Sequence, residues 1–313
     1  MPERVRLTDV SPRDGLQNEP IGLGAGPIPT DRKAELVRAL DAVGVDEIEI
    51  TSFVNPKWVP QLGDAAELCA QIAGTKPDKA CYSALVPNER GLDGLLAANE
   101  AASNATRRRV IDKVSVFTAA SETFSQRNTN ASIAETLERF RPVAERAREA
   151  GLATRGYVSC AVACPFEGST DPAQVADVAG RLLSLGIDEI DLGDTIGAGT
   201  PESIDALLNV VLDAVPVERV VLHLHDTFGR AAACVAAGLS SGVRRFDGAV
   251  GGLGGCPYAS TATTRAPGNI GLGTLAGVIE AAGHTVDIDQ AALKSAEALA
   301  AGMRAPSGGS ESP

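Results

Sequence analysis

Short runs of β-branched and apolar residues alternate along the chain with longer segments of helical periodicity. Eight runs predict strands, over residues 5–10, 46–53, 79–86, 113–119, 155–162, 188–193, 219–225 and 244–250. The segments between and after them predict helices over 30–43, 63–73, 89–99, 131–150, 171–185, 201–214, 229–241 and 274–282, with a ninth over 289–301. Eight strand–helix units match a TIM barrel, whose typical length is about 250 residues.

This order of elements predicts an α/β fold, a TIM (β/α)8 barrel with an additional C-terminal helix, in a single domain over 1–304. The tail 305–313 consists largely of Pro, Gly and Ser, and we expect it to be disordered. A doubly wound sheet shares the same alternation. We favour the barrel because no G-x-G-x-x-G follows a strand and no G-x-x-x-x-G-K-[ST] occurs.

Two histidines interrupt the apolar pattern of the seventh strand. There Val220, Leu222 and Leu224 form the outward-facing set, so His223 and His225 face the barrel interior. They lie at the carboxyl end of the strand, where barrel enzymes carry their chemistry, and two imidazoles at i and i+2 can share a divalent cation. Ordinary core histidines are the alternative, which is weakened because two of only three histidines occur in this pair.

Carboxylates occupy similar positions in two other strands. In the second strand the alternation turns Glu47, Glu49 and Thr51 inward, and a carboxylate inside a barrel needs a cation or a donor. Glu49 is a candidate site residue because it lies near the carboxyl end, whereas Glu47, at the start, equally suits an ordinary ion pair. Asp194, which follows the sixth strand, is a further candidate, with a turn or cap aspartate as the alternative.

Two loops at the carboxyl ends of strands carry further candidates. Arg13 and Asp14 follow the first strand directly, and a surface ion pair is the alternative interpretation. After the eighth strand, four glycines between 251 and 255 permit a tight loop around a ligand, and Cys256 follows them. We assign Cys256 to the site and expect the other five cysteines to be buried and inert.

Composition narrows the class of partner. The net charge of −12 and the 4% aromatic content argue against nucleic acid as a partner. No apolar segment has the length of a signal peptide or a bilayer span, so we expect a cytoplasmic protein with no membrane contact and with reduced cysteines. A small molecule is the expected partner, and the sequence leaves the oligomeric state open, a homodimer included.

The candidates fit one type of reaction. Asp14, His223 and His225, with an amide from Asn269, suit Mg²⁺ or Mn²⁺, which would bind a substrate hydroxyl and carboxylate and acidify the hydroxyl. Cleavage of the neighbouring carbon–carbon bond then leaves an enolate, whose oxygen needs a cationic donor and whose carbon needs a proton. These two roles suit Arg13 and the Cys256 thiol, which is mostly protonated at neutral pH.

Several segments together resemble the 3-hydroxy-3-methylglutaryl-CoA lyase family, a branch of the TIM-barrel lyases and acyl-transferring synthases. The resemblance runs through DVSPRDGLQNE (9–19), TSFVNPKWVPQ (51–61), RGYVSC (155–160), LGDTIG (192–197), HLHDT (223–227) and GLGGCPYA (252–259). The Arg-Asp and His-x-His segments are common to the superfamily. The segment around the cysteine and Ser-Phe-Val-x-Pro-Lys-Trp point to the lyase branch.

The resemblance implies a reaction and roles for the site residues. It implies metal ligation by Asp14, His223, His225 and Asn269. It further implies that Arg13 and Cys256 act on the thioester enolate, that His223 helps to move the hydroxyl proton, and that Glu49 and Asp194 line the site. The implied reaction converts an acyl-CoA substrate, 3-hydroxy-3-methylglutaryl-CoA, into acetyl-CoA and acetoacetate, as in leucine catabolism.

The chain departs from the family after Cys256. Asn269 lies thirteen residues after Cys256, further than the family's asparagine, and Gly273 and Thr274 stand where the family has an acidic pair. A lyase for a related 3-hydroxyacyl-CoA therefore stays open. So does a Claisen-type synthase that condenses acetyl-CoA with a 2-oxo acid, which Arg265 supports slightly. A non-catalytic metal-binding barrel is least favoured because the catalytic candidates are retained.

Overall fold

The computed structural model describes residues 2–19, 26–255 and 267–303. In chain order its strands are β1 Arg6–Asp9, β2 Glu47–Ser52, β3 Cys81–Leu85, β4 Lys113–Ala119, β5 Ala153–Ser159, β6 Ala163–Cys164, β7 Gly168–Ser169, β8 Glu189–Asp194, β9 Val220–Leu224 and β10 Arg245–Gly248. Its α-helices are α1 Thr30–Val43, α2 Ala65–Ile72, α3 Glu89–Thr106, α4 Glu122–Thr129, α5 Ile133–Glu149, α6 Pro172–Ser184, α7 Pro201–Val211, α8 Ala231–Ser240, α9 Leu272–Ala281 and α10 Gln290–Ala301.

Eight parallel strands close into a barrel in the order β1-β10-β9-β8-β5-β4-β3-β2, which confirms the predicted fold. The additional C-terminal helix α10 packs against α1, and the Asp289 N–H donates to the Val43 carbonyl across 2.8 Å. Among the described helices, none is both long and apolar enough to cross a membrane. The predicted tail 305–313 lies outside the described residues.

One α-helix and one antiparallel pair of strands in the described part of the chain were not predicted. The short helix α4 begins after Ser121, whose hydroxyl accepts the Phe124 N–H, and it has few buried apolar residues to give it a periodic pattern. The antiparallel pair β6-β7 contains two residues in each strand, too short for any alternation. Both follow the carboxyl end of a barrel strand, so they enlarge the face of the barrel at which the candidate residues meet.

The amino-terminal half of the barrel interior is filled by charged side chains. Lys113 of β4 forms ion pairs with Glu47 and, at 2.7 Å, with Glu189. Arg155 of β5 lies 3.3 Å from Glu47 and 3.4 Å from Glu189, and Arg245 also pairs with Glu189. Glu47 thus has the ordinary ion-pair role that its position at the start of β2 suggested. This ionic layer closes the barrel beneath the candidate site.

Candidate metal centre and active site

Arg13 and Asp14 are presented by a single π-helical turn, Ser11–Gly15, directly after β1. The turn is closed by a hydrogen bond of 3.1 Å from the Gly15 N–H to the Val10 carbonyl. The buried Asp9 carboxylate fixes its start by accepting the Ser11 N–H at 2.8 Å and the Val250 N–H at 3.0 Å. The backbone after β1 is therefore tied to the loop after β10.

The Arg13 guanidinium is held on two sides by carboxylates. Its Nε donates to Glu49 Oε2 at 2.5 Å, and its Nη1 donates to Asp14 Oδ1 at 2.9 Å. The Tyr157 hydroxyl donates to the same Glu49 oxygen at 3.1 Å, and the Tyr157 ring lies 5.3 Å from the guanidinium carbon. Burial alone would lower the pKa of Arg13. The neighbouring Glu49 and Asp14 carboxylates raise it by more than burial lowers it, so the side chain stays cationic.

His223 of β9 and His225, which comes directly after the end of this strand, direct Nε2 toward the same space. The two Nε2 atoms are 3.3 Å apart, and Asp14 Oδ2 lies 4.0 Å from His223 Nε2 and 3.8 Å from His225 Nε2. On the opposite ring edge, His225 Nδ1 donates to the Thr195 carbonyl at 2.9 Å, and His223 Nδ1 lies 3.2 Å from Asp247 Oδ2. With Nδ1 engaged elsewhere, each Nε2 is available for a shared ligand.

Asn269 joins this group although the loop before it is long. The segment around it pairs with the end of β9, since the Asp226 N–H donates to the Gly268 carbonyl and the Ile270 N–H to the Leu224 carbonyl. Asn269 Nδ2 donates to Asp14 Oδ2 at 2.9 Å and to a backbone carbonyl at 3.0 Å. Its buried Oδ1 accepts a hydrogen bond from no described residue, so one acceptor is left over in the site.

These donors fit a divalent cation. Ligand atoms of Asp14, His223 and His225 lie within 4.8 Å of one another, and the unsatisfied Asn269 oxygen adds a further oxygen ligand. Burial raises the pKa of Asp14, but the Arg13 guanidinium and the two imidazoles hold it well below its usual range, so this carboxylate is ionised. The group is suited to hold a metal ion.

Asp194 has its carboxylate committed to the loop that follows β8. One carboxylate oxygen accepts the Ala198 N–H at 3.0 Å, and the other accepts the Gly199 N–H at 2.8 Å. Thr195, whose carbonyl orients His225, lies in the turn that these bonds hold. The structure therefore brings Arg13, Asp14, Glu49, the histidines and Asn269 together and places Asp194 behind them as a turn-forming residue. Cys256 lies outside the described residues.

Three charged residues beneath the histidines were not singled out from the sequence. Arg155, Asp191 and Asp247 are all buried and lie on β5, β8 and β10. Arg155 Nη1 lies 3.1 Å from Asp247 and 3.6 Å from Asp191. Burial raises the pKa of Asp247, but Arg155 and His223 bring it below its usual value, whereas burial and Asp247 raise the pKa of Asp191. The signal that could have revealed them is a charged residue at an inward strand position.

A cavity of about 720 Å³ opens above these residues at the carboxyl face. Arg13, Asp14, His223 and His225 line its floor, and Gly255 lines it directly before Cys256. Apolar side chains form much of its wall, namely Val54, Leu85, Phe117 and Phe124. Trp58, 73% exposed, lies along the same cavity. A substrate with polar and apolar parts would fit such a space.

Comparisons with known proteins agree with this geometry. The HMGL-like family model matches residues 4–300. A 3-hydroxy-3-isohexenylglutaryl-CoA/hydroxy-methylglutaryl-CoA lyase from Pseudomonas aeruginosa is 47% identical over 263 residues, which cover 84% of this chain and 82% of that protein.

Solved structures give the same result. The HMG-CoA lyase from Brucella melitensis superimposes with a TM-score of 0.88 at 42% identity, covering 96% of this chain and 99% of that one. An HMG-CoA lyase from Acinetobacter baumannii, solved in complex with coenzyme A and 3-methylmalate, gives a TM-score of 0.83 at 33% identity, over 97% of this chain and 93% of that one.

Proposed function

The chain belongs to the HMGL-like family, and from this membership we propose that it cleaves 3-hydroxy-3-methylglutaryl-CoA to acetyl-CoA and acetoacetate. The observation that carries the proposal is the convergence of a buried cationic Arg13 with the Asp14, His223 and His225 group on the floor of one cavity. The leucine-degradation role and the cytoplasmic location stay predictions, as does a homodimer.

The cation in this proposal is Mg²⁺ or Mn²⁺, held by Asp14, His223, His225 and Asn269. The mixture of two imidazoles, a carboxylate and an amide oxygen supports these ions over zinc, which favours more thiolate or a third histidine. When bound, the ion supplies Lewis acidity that lowers the pKa of the substrate hydroxyl.

The bond to be broken joins C2 and C3 of the acyl chain. As the 3-hydroxyl loses its proton to solvent, C3 becomes the ketone carbon of acetoacetate. His223 would help to move this proton as a ligand of the ion that acidifies the hydroxyl, since its Nδ1 is engaged by Asp247 and its Nε2 faces the cation site. The electron pair of the C2–C3 bond passes to the thioester as an enolate. Arg13 would donate to the enolate oxygen: Glu49 and Asp14 take its Nε and Nη1, and no described residue accepts a hydrogen bond from Nη2.

The enolate carbon then needs a proton to become the methyl group of acetyl-CoA. We assign this step to the Cys256 thiol. Cys256 follows Gly255, which lines the cavity. A protonated thiol at neutral pH is a suitable donor to a carbanion. Asp194 contributes to the site by holding the turn that carries Thr195, whose carbonyl orients His225.

A second candidate substrate has a larger group on C3. The Pseudomonas relative is named for 3-hydroxy-3-isohexenylglutaryl-CoA as well as for the methyl compound. The cavity wall formed by Leu85, Phe117 and Phe124 is apolar, so an isohexenyl chain could pack against it. A synthase activity has less support, since the relatives compared above are named as lyases.

Turnover by the purified protein tests the proposal. 3-Hydroxy-3-methylglutaryl-CoA is supplied with Mg²⁺, with Mn²⁺ and with EDTA, and acetyl-CoA and acetoacetate are measured together. We expect equal release of both products with either metal and none with EDTA. Turnover of the isohexenyl compound alone would favour the second substrate. Absence of cleavage of both, with Mn²⁺ bound, would contradict lyase activity on these two substrates.

A further inference from the structure

His223 connects two groups of polar residues through its two ring nitrogens. Nε2 faces Asp14 and His225 in the proposed cation site. Nδ1 points down the barrel to Asp247 Oδ2, 3.2 Å away. Asp247 lies on β10 directly beside His223 on β9, since the two residues are register partners. The relation between these two residues is therefore fixed by backbone pairing of the barrel.

The Asp247 carboxylate is held so that it cannot turn away from His223. Arg155 Nη1 donates to Asp247 Oδ1 at 3.1 Å and to Oδ2 at 3.3 Å, and Asp247 is 2% exposed. Arg155 is itself fixed by Thr8, whose hydroxyl accepts Nη2 at 3.0 Å, and by Glu47. A guanidinium on both oxygens also favours an ionised carboxylate, which can only accept a hydrogen bond.

A second cation site is the other interpretation of this group. Ligand atoms of Asp191, His223 and Asp247 lie close enough together to surround an ion. However, Arg155 Nη1 lies 3.1 Å from Asp247 and 3.6 Å from Asp191, so the positive charge that these carboxylates require is already present. A metal ion here would meet the guanidinium at close range. The position of Arg155 thus favours a role for Asp247 toward His223.

We propose that Asp247 is the positioning residue of His223: by accepting the Nδ1–H it fixes the ring and keeps the Nε2 lone pair facing Asp14 and His225. The Thr195 carbonyl positions His225 in the same way, because this oxygen too can only accept a hydrogen bond from Nδ1–H. The inference rests on the proposed function only in that Nε2 is taken to be a ligand of its cation. Loss of such a partner commonly weakens metal affinity by about ten- to a hundredfold.

Asp247→Asn separates this role from simple packing. The amide has nearly the shape of the carboxylate but only one accepting oxygen, which Arg155 would take. Its NH₂ group would then face His223 Nδ1 and favour the tautomer with the proton on Nε2. Asp191→Asn is the matched control, because Asp191 is equally buried and also contacts Arg155.

Two measurements test the proposal. In titrations of metal-free protein with Mn²⁺, we expect about ten- to a hundredfold weaker binding for Asp247→Asn and little change for Asp191→Asn, with both folded by circular dichroism. Unchanged affinity in Asp247→Asn, or an equal loss in both variants, would overturn it.

The second measurement needs no variant of Asp247 and so holds even if Asp247→Asn fails to fold. ¹⁵N NMR of the imidazoles is simple with three histidines, and His284→Gln removes the one outside the site. In metal-free wild-type protein, at a pH where His223 carries a single proton, we expect that proton on Nδ1. A proton on Nε2 would overturn the proposal. Failure of HMG-CoA cleavage alone would contradict the reaction and leave these two results standing.

Discussion

Arg13 Nε donates to Glu49 Oε2 across 2.5 Å, so the turn after β1 is joined to strand β2 by a buried ion pair. Glu49→Ala should release the guanidinium from its position over the cavity. We expect turnover to fall by about a hundredfold, since misplacement of a catalytic group by an ångström has this cost, with stability lower by about 3 kcal/mol. Steady-state kinetics and urea unfolding measure the two effects.

Glu47→Ala provides the control for this prediction, because Glu47 lies on the same strand but pairs with Lys113 and Arg155 in the ionic layer. It should lower stability comparably and turnover far less. Equal losses of turnover in the two variants would show that stability, and not the position of Arg13, sets the activity.

His225→Ala removes a direct ligand of the proposed cation. Mn²⁺ affinity should fall by more than about a hundredfold, beyond the usual cost of losing an outer partner. Isothermal titration of metal-free protein measures the change, and His284→Ala, at a partly exposed position remote in sequence from the site, should bind Mn²⁺ like the wild type. Wild-type affinity in His225→Ala would contradict the proposed ligand set.

Gly268→Ala should disturb the cation site through the backbone. A Cβ at Gly268 would lie 2.5 Å from the Gly254 carbonyl carbon, so one of the two backbone segments must move, and Asn269 with it. We expect about tenfold weaker Mn²⁺ binding. Gly277→Ala is the control, since its Cβ would meet nothing within 4 Å and helix α9 should gain up to about 1 kcal/mol. Equal Mn²⁺ affinities would refute the coupling.

Cys256→Ser should separate chemistry from binding. A serine hydroxyl is a much weaker acid than a thiol, so protonation of the enolate should slow and turnover should fall by about a hundredfold or more. Mn²⁺ affinity and thermal stability should match the wild type. Cys234→Ser, at a buried cysteine of α8, should keep its turnover. Full activity in Cys256→Ser would exclude the thiol as the proton donor.

Acid should weaken the ionic layer through Glu189. Burial raises its pKa, but Arg155, Lys113 and Arg245 together lower it from 4.5 to about 2. Since the folded pKa lies below the unfolded one, the stabilisation is present above about pH 4.5 and is lost as the pH falls toward 2, up to roughly 3 kcal/mol. The difference in unfolding free energy between wild type and Glu189→Gln should therefore shrink between neutral pH and about pH 3. A constant difference would contradict this assignment.

The strands and the two histidines could be predicted because both depend on local alternation. His223 and His225 face inward for the same reason that Leu222 and Leu224 face outward, and this follows from four consecutive positions. Arg13 and Asp14 were placed by their position directly after a strand. In these cases the sequence pattern and the barrel geometry carry the same information.

The partners of these residues could not be predicted in the same way. Arg155 meets Asp247 across 92 positions of the chain, and His225 is oriented by a backbone carbonyl, which no side-chain pattern reports. Asp194 was predicted as a site residue from its place at the end of the sixth strand, and the N–H groups that its oxygens accept, four and five positions later, could not be read from the strand pattern. The hydrogen-bond partner of a polar group depends on how the strands pack against one another. Local periodicity in the sequence carries no information about that packing.

The pairing of the Asn269 segment with β9 has a consequence for how this protein can change. Hydrogen bonds on both sides of Asn269, to Gly268 and from Ile270, attach the asparagine to a barrel strand. Its position is therefore independent of the length of chain between Cys256 and Asn269. An insertion in that stretch should therefore leave the asparagine in register with the strand.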